Sequence, residues 1–458
     1  MPGKEKIEPT LEFVREQAAK FGAKKDDYVE RNNTNELSFA EGIAYFGFIE
    51  PEEDTSGPYH DLSYVVFPNP DEGSWLVSIG VGTLGFKNDY ELAGLPGLRR
   101  SIAPLISAKG FCKTSFLDIE TGLPRDFKDQ HPHFSRLFKK YEKVLPSLDV
   151  VEDPTSGEGK ERLSAFLAFY AKMRSWPTNA QHRTTVSAAL NIRSKVPVKD
   201  EEIILNLLKT RRYVILEGAP GTGKTRLAKQ MSRELSAKPF FTQLHAETSY
   251  SDFIYGIRPA LAERELGYRE SFGEFYKALK YAVDNPNEKV LLIVDEINRA
   301  NLSNILGPIF YLFEYKLDSS DTDILIGGNF RVSKIPENFY VVATMNTADR
   351  SLAVVDFALR RRFAWYHLKP KAVEDVKFFD EDFQAFAEIF NWYAEGMELE
   401  LQPGQGYFFA DSEDDMKNRV RYELFPLIKE YLAEGALVKA KEEFNAYFMR
   451  RIKQSLVE

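Results

Sequence analysis

The octapeptide Gly218–Thr225, GAPGTGKT, fits the spacing G-x-x-x-x-G-K-[ST]. Glycines so placed let backbone N–H groups curl around phosphate oxygens while the lysine meets the outer phosphates. This is the chemistry of a nucleoside triphosphate site. The residues expected to touch the nucleotide are Gly218, Ala219, Pro220, Gly221, Thr222, Gly223, Lys224, Thr225 and the following Arg226. Downstream, KVLLIVDE (Lys289–Glu296) ends in two acids. Asp295 is expected to hold Mg2+ with the Thr225 hydroxyl, and Glu296 to polarise the attacking water. Asn346, in Met345-Asn346-Thr347, is expected to orient that water beside the γ-phosphate.

Arg360, Arg361 and Arg362 close a helix expected to begin near Val354. Three arginines at a helix C-terminus complement its dipole. On the rim of a subunit they also reach a neighbour's γ-phosphate and stabilise transition-state charge, the arginine-finger role. Arg361 is the first choice for that role and Arg362 the second.

These residues need a scaffold. Tyr213–Leu216 is aromatic and β-branched, as a buried strand requires, and Leu227–Leu235 has helical spacing. The phosphate loop therefore sits at a strand-to-helix turn, where the helix N-terminus faces the phosphates. Lys289–Glu296 and Phe339–Thr344 read as further parallel strands, whose carboxyl ends form the ligand-binding edge of an open α/β sheet. Phe240–Ala246 and Phe363–His367 are expected as strands, and Asp323–Val332 (DILIGGNFRV) as a hairpin. The aromatics of Ser249–Arg258 either line a ring or pack in a loop. Residues 371–458 are helical by pattern, a lid over the nucleotide. Arg419 and Arg421 are its candidates for a second sensor.

The order of phosphate loop, VDEINRANLS (Val294–Ser303), MNTADRSLAVVDFALRRRF (Met345–Phe363) and GQGYF (Gly404–Phe408) resembles the AAA+ motor of the McrB family over about residues 196–430. Members are motor subunits of modification-dependent restriction systems and hydrolyse GTP, although most of the superfamily uses ATP. The resemblance implies Asn346 as sensor, Arg361 and Arg362 acting in trans, and assembly into a ring, expected to be a hexamer. It also implies a separate McrC-like nuclease partner and an N-terminal domain that recognises DNA.

At 458 residues the chain is too long for one core. The expected class is α/β: an AAA+ phosphate-loop parallel sheet (196–370) with a helical lid (371–458), preceded by an α+β domain (1–150) and by a linker with bridging helices (151–195). The linker reading rests on VEDPTSGEGK, rich in turn formers and charge. A net charge of −9 argues against non-specific nucleic-acid binding by the whole molecule. The lone Cys112 suits a reducing cytoplasm, and no stretch approaches membrane-spanning length. Within 1–150, Arg99, Arg100, Lys109 and Lys113 are either a nucleic-acid face or a solvated helix face. Tyr45, Phe46, Phe48, Tyr64, Phe67 and Trp75 would suit a base pocket, but core packing explains them with fewer assumptions.

The expected function is an oligomeric nucleoside triphosphatase, using GTP or ATP with Mg2+, that drives a DNA restriction or antiviral complex. The competing expectation is a protein-remodelling AAA+ ATPase whose N-terminal domain grips protein.

Overall fold

The apolar runs of the first 150 residues become a sheet buried on both sides. In the computed structural model, which describes residues 3–51, 62–71, 73–81, 93–117, 121–142, 145–191, 199–262, 265–313, 323–348 and 357–456, the chain divides into two units. One is Met1–Val196 with Asn391–Tyr393, the other Pro197–Phe390 with Ala394–Glu458.

In the first unit β1 (Val29–Asn33), β2 (Tyr45–Ile49), β3 (Ser63–Phe67), β4 (Trp75–Gly80), β5 (Phe111–Cys112) and β6 (Ser147–Val151) are ordered β1-β2-β3-β4-β6-β5. Every neighbouring pair is antiparallel. Successive side chains of a strand point to opposite faces. Accordingly Tyr64, Val66, Val77 and Ile79 join one core with helices Ile7–Lys20 and Gly157–Met173. Val65, Phe67, Leu76 and Val150 join a second core with Phe127, Leu137 and Phe138. Phe46, Phe48, Tyr64, Phe67 and Trp75 are all buried in these layers. Each contributes about 2–3 kcal/mol by burial, which accounts for them without a ligand.

The basic cluster is largely engaged within the unit. Arg99 Nε donates to the Lys113 carbonyl at 2.8 Å, Lys109 pairs with Glu152, and Lys113 is buried. Arg99 and Lys113 are thus held inside the unit, while Lys109 and Glu152 pair at its surface.

The segment expected as a linker is a capped turn. The Asp153 carboxylate accepts the Thr155 N–H at 3.0 Å, the Thr155 hydroxyl at 2.7 Å and Lys6 Nζ at 3.0 Å. Ser156 then caps the helix Gly157–Met173, its Oγ accepting the Gly159 N–H at 3.0 Å. That helix is no bridge. It lies in the first unit's core, and its Arg162 donates at 2.8 Å to Asp149 of β6, a fully buried carboxylate. Capping turns and linkers share one composition, which is why the sequence pattern misled.

In the second unit β7 (Tyr213–Gly218), β8 (Lys238–Gln243), β11 (Val290–Asp295), β14 (Phe339–Asn346) and β15 (Ala364–His367) form a parallel sheet ordered β15-β7-β14-β11-β8. The apolar run of β11 is buried on both faces, Val290, Leu292 and Val294 against one core and Leu291 and Ile293 against the other. Two hairpins interrupt the alternation of strand and helix: β9 (Tyr255–Ala262) with β10 (Glu265–Phe272), and β12 (Ile324–Gly327) with β13 (Phe330–Val332). The second follows the Gly-Gly-Asn signal. The first has no counterpart in the expectations, because Glu263-Arg264 at its connection carries no glycine or asparagine. The aromatics of the preceding segment pack: Phe253 is buried and Tyr255 lies against Gly327.

Residues 371–456 are mainly helical, with Asp380–Tyr393, Glu413–Arg419, Phe425–Ala433 and Lys441–Ile452 as the α-helices. Phe386 joins the set at 5.4 Å from Phe444 and 5.1 Å from Tyr447, ring centre to ring centre. Buried Asp382 accepts the Tyr447 hydroxyl at 2.6 Å and both arms of the Arg451 fork, at 2.9 and 2.8 Å. Among the described residues no helix is long and apolar enough to cross a membrane. Asp349, Arg350 and the helix start expected near Val354 lie outside the described residues.

Candidate nucleotide site

Strand order builds the site. β14 lies between β7 and β11, with Asn346 opposite Gly218 and Ala343 opposite Val294. The phosphate loop, the acids and the asparagine therefore leave the same carboxyl edge of three adjacent strands.

The loop after β7 turns through Gly221 and Gly223, at φ of 79° and 85°. Side chains other than glycine rarely adopt that region. Lys224 opens the helix Lys224–Glu234. Its buried Nζ donates to the carbonyls of Gly218 at 2.8 Å and Ala219 at 2.7 Å, and the Thr222 hydroxyl donates to Ala219 O at 2.9 Å. Gly218 and Ala219 are buried, Pro220 is half-buried, and Arg226 is exposed on the helix.

Thr225 Oγ1 donates to Asp295 Oδ1 at 2.7 Å. One hydroxyl and one carboxylate, with the remaining positions left to water and phosphate oxygens, form a donor set suited to Mg2+. The same Asp295 oxygen accepts the Thr344 hydroxyl at 2.6 Å, and that hydroxyl receives the Glu296 N–H at 3.1 Å. Thr344 thus fixes both acids. Its sequence signal is faint: a polar residue two positions before Asn346, on the same face of an otherwise apolar strand.

Glu296 stands at φ 57°, in the left-handed region, a conformation that is uncommon outside glycine and frequent at functional sites. Its Oε1 accepts Asn346 Nδ2 at 2.7 Å and its Oε2 accepts Arg299 Nε at 3.2 Å. Asn298, also buried, donates through Nδ2 to the Asn346 carbonyl at 3.1 Å. Asn298 and Arg299 belong to VDEINRANLS, where the residue types alone carry no signal for a part in the site. On the other side of the loop, burial raises the Glu217 carboxyl above the usual range, and His367 opposes the shift.

The arginines part company. Arg361 is exposed, and Arg360 lies over the Trp365 ring at 4.8 Å. Arg362, expected as the second choice for the finger, is buried with its guanidinium 4.0 Å above the Phe310 ring. A cation stacked in an interior contributes packing and cation–π energy. Arg419 is likewise occupied, donating to Gly406 O at 3.1 Å and pairing with Glu423 at 2.9 Å.

Residues 213–363 match the AAA domain of the dynein-related subfamily. Over 183 residues the chain is 38% identical to the type IV methyl-directed restriction enzyme EcoKMcrB subunit of Escherichia coli K12, covering 38% of this chain and 39% of that protein. The chain carries a McrB-like AAA+ domain. A second relative is the YdiS component of the type II restriction enzyme BsuMI from Bacillus subtilis 168, 29% identical over 208 residues, 36% of this chain and 61% of that one. The chain therefore spans less than two thirds of either relative. Among solved structures, the RuvB Holliday junction branch migration motor of Thermotoga maritima is similar with 19% identity and a TM-score of 0.24, over 54% of this chain and 67% of that one.

Proposed function

We propose that this chain is the nucleoside-triphosphate-hydrolysing motor of a DNA restriction or antiviral complex. The observation that carries the reading is the contact of Asn346 with Glu296 at 2.7 Å, beside Lys224 and the Thr225–Asp295 pair, in a chain that is 38% identical over 183 residues to a restriction-enzyme subunit.

In this mechanism the loop amides and Lys224 bind the β- and γ-phosphates. Thr225 and Asp295 would hold Mg2+, which supplies charge neutralisation on the phosphate oxygens. Glu296 accepts a hydrogen bond from the attacking water, and Asn346 fixes the carboxylate that does so. Arg361 is the residue for a neighbour's γ-phosphate, so the working form is a homo-oligomer, a hexameric ring by family resemblance. GTP is the favoured nucleotide and ATP the alternative. The nuclease is a separate McrC-like subunit, DNA is met through the first unit, and the complex works in the cytoplasm. The test is phosphate release from GTP and ATP by wild type, Lys224→Ala and Glu296→Gln. Turnover that survives either substitution sinks the reading.

A second reading, a motor that remodels protein, draws on the first unit. Among the described residues Phe46, Phe48, Tyr64, Phe67 and Trp75 are core residues, and Arg99, Lys109 and Lys113 are engaged within the unit. Binding of the full chain to modified and unmodified DNA separates the two readings; no affinity for either DNA favours the second.

A further inference from the structure

The late GQGYF segment lies against the phosphate loop. Gly404 N donates to Pro220 O at 2.9 Å and Gly406 N to Gly221 O at 2.8 Å. Between them, Gln405 Nε2 donates to Thr222 O at 2.8 Å. Three successive carbonyls of the loop are thus held by three donors of one lid turn.

The fit depends on backbone touching backbone. A Cβ on Gly404 would stand 2.2 Å from the carbonyl carbon of Gly221 and 2.3 Å from Thr222 N, and one on Gly221 would stand 2.9 Å from the Tyr407 ring. Arg419 anchors the turn from the lid side through Gly406 O at 3.1 Å, and its fork is fixed by Glu423 at 3.0 and 2.9 Å.

A trans peptide is planar, so its C=O and the next N–H point in opposite directions. Carbonyls of 220, 221 and 222 drawn toward the lid turn the N–H groups of Gly221, Thr222 and Gly223 away from it. Those are the amides that a phosphate loop offers to the nucleotide. We propose that the lid turn Gly404–Tyr407 orients the phosphate-cradling amides, with Gln405 as positioning residue, so that lid docking and triphosphate binding form one linked equilibrium. The inference rests on the nucleotide-site reading above and adds the device that sets the loop's geometry. Linkage is reciprocal: nucleotide tightens lid docking by the factor by which docking tightens nucleotide.

The test uses the full chain and two probes, mant-labelled GTP and mant-labelled ATP. Gln405→Glu keeps the shape but turns a donor into an acceptor facing the Thr222 carbonyl. Gln405→Met removes the donor without adding charge. The expected result is weaker binding of whichever probe the wild type takes, by about tenfold for Gln405→Glu and about threefold for Gln405→Met. KM should rise by more than kcat changes, and amide exchange over 218–225 should be faster than in wild type. A merely structural role in the lid would leave exchange at the loop unchanged. Wild-type affinity and exchange in both variants overturn the inference while the nucleotide site stands. If wild type binds neither probe, or Lys224→Ala binds as tightly as wild type, the nucleotide reading falls and takes the inference with it.

Discussion

Asn346 Nδ2 and Glu296 Oε1 meet at 2.7 Å, joining the ends of two adjacent parallel strands, β14 and β11. A carboxylate that must align water is useful only in one orientation. Asn346→Ala releases one oxygen and leaves Arg299 on the other. The expected result is a fall in kcat of about 10²-fold with nucleotide affinity changed little. Steady-state kinetics alongside equilibrium binding make the check, and parallel losses in both would make Asn346 a ground-state contact.

Thr344 supplies a second relation of this kind. Its hydroxyl donates to Asp295 and receives the Glu296 N–H. Thr344→Val is close in shape but removes the hydroxyl and takes its acceptor from the partly buried Glu296 N–H, a cost of about 1 kcal/mol. Thermal unfolding of the second unit should move down, and the Mg2+ concentration giving half-maximal turnover should rise several-fold. An unchanged Mg2+ titration would limit Thr344 to a packing role.

What the sequence made legible, and what it hid, follows from the physics of each signal. β11 was legible because burial on both faces leaves an unbroken apolar run ending in two acids. The turn at 218–225 was legible because few loops require two glycines in that spacing before a helix. The meeting of Asn346 with Glu296 depends on strand order, which local pattern does not encode. Arg362 was hidden for a similar reason: three arginines in a row look equivalent until Phe310, 52 positions earlier, covers one of them. The turn at Asp153 misled because a capping turn and a linker use the same residues.

The helix that follows that turn yields a stability test. Asp149 is fully buried and its cation is Arg162. Arg162→Ala leaves a carboxylate with no paired charge from that helix, which typically costs about 3–5 kcal/mol. A flexible connector would tolerate the change. Denaturant unfolding followed in the first unit should show a lower midpoint, and a midpoint equal to that of wild type would detach the helix Gly157–Met173 from the core.

The same turn has a pH signature. Hydrogen bonds from the Thr155 hydroxyl and N–H, with Lys6 beside them, hold the Asp153 carboxyl down to about 2, below the ordinary value of about 3.9. A depressed carboxylate contributes stability above its unfolded value and loses it as pH falls through the folded one. The window is about pH 4 to 2. With the side chain 43% exposed, solvent screening keeps the effect modest. Asp153→Asn should flatten the acid limb of stability in that window and leave its slope at neutral pH unchanged, as urea melts at stepped pH will report.

The last prediction concerns Arg361, which is exposed. Arg361→Ala should abolish hydrolysis while preserving nucleotide binding and fold, whereas Arg362→Ala should lower stability by about 1–2 kcal/mol through the lost stack on Phe310. Activity loss alone does not say whether Arg361 serves its own subunit or the next. Mixing does. An Arg361→Ala subunit keeps its phosphate loop, and a Lys224→Ala subunit keeps its finger. In randomly mixed oligomers at equal amounts, about one interface in four pairs an intact loop with an intact finger, since each is contributed half the time at a heterologous contact. Two inactive proteins should therefore regain roughly a quarter of wild-type turnover on mixing. If Arg361 works within its own chain, every active site carries one defect or the other and the mixture stays inactive.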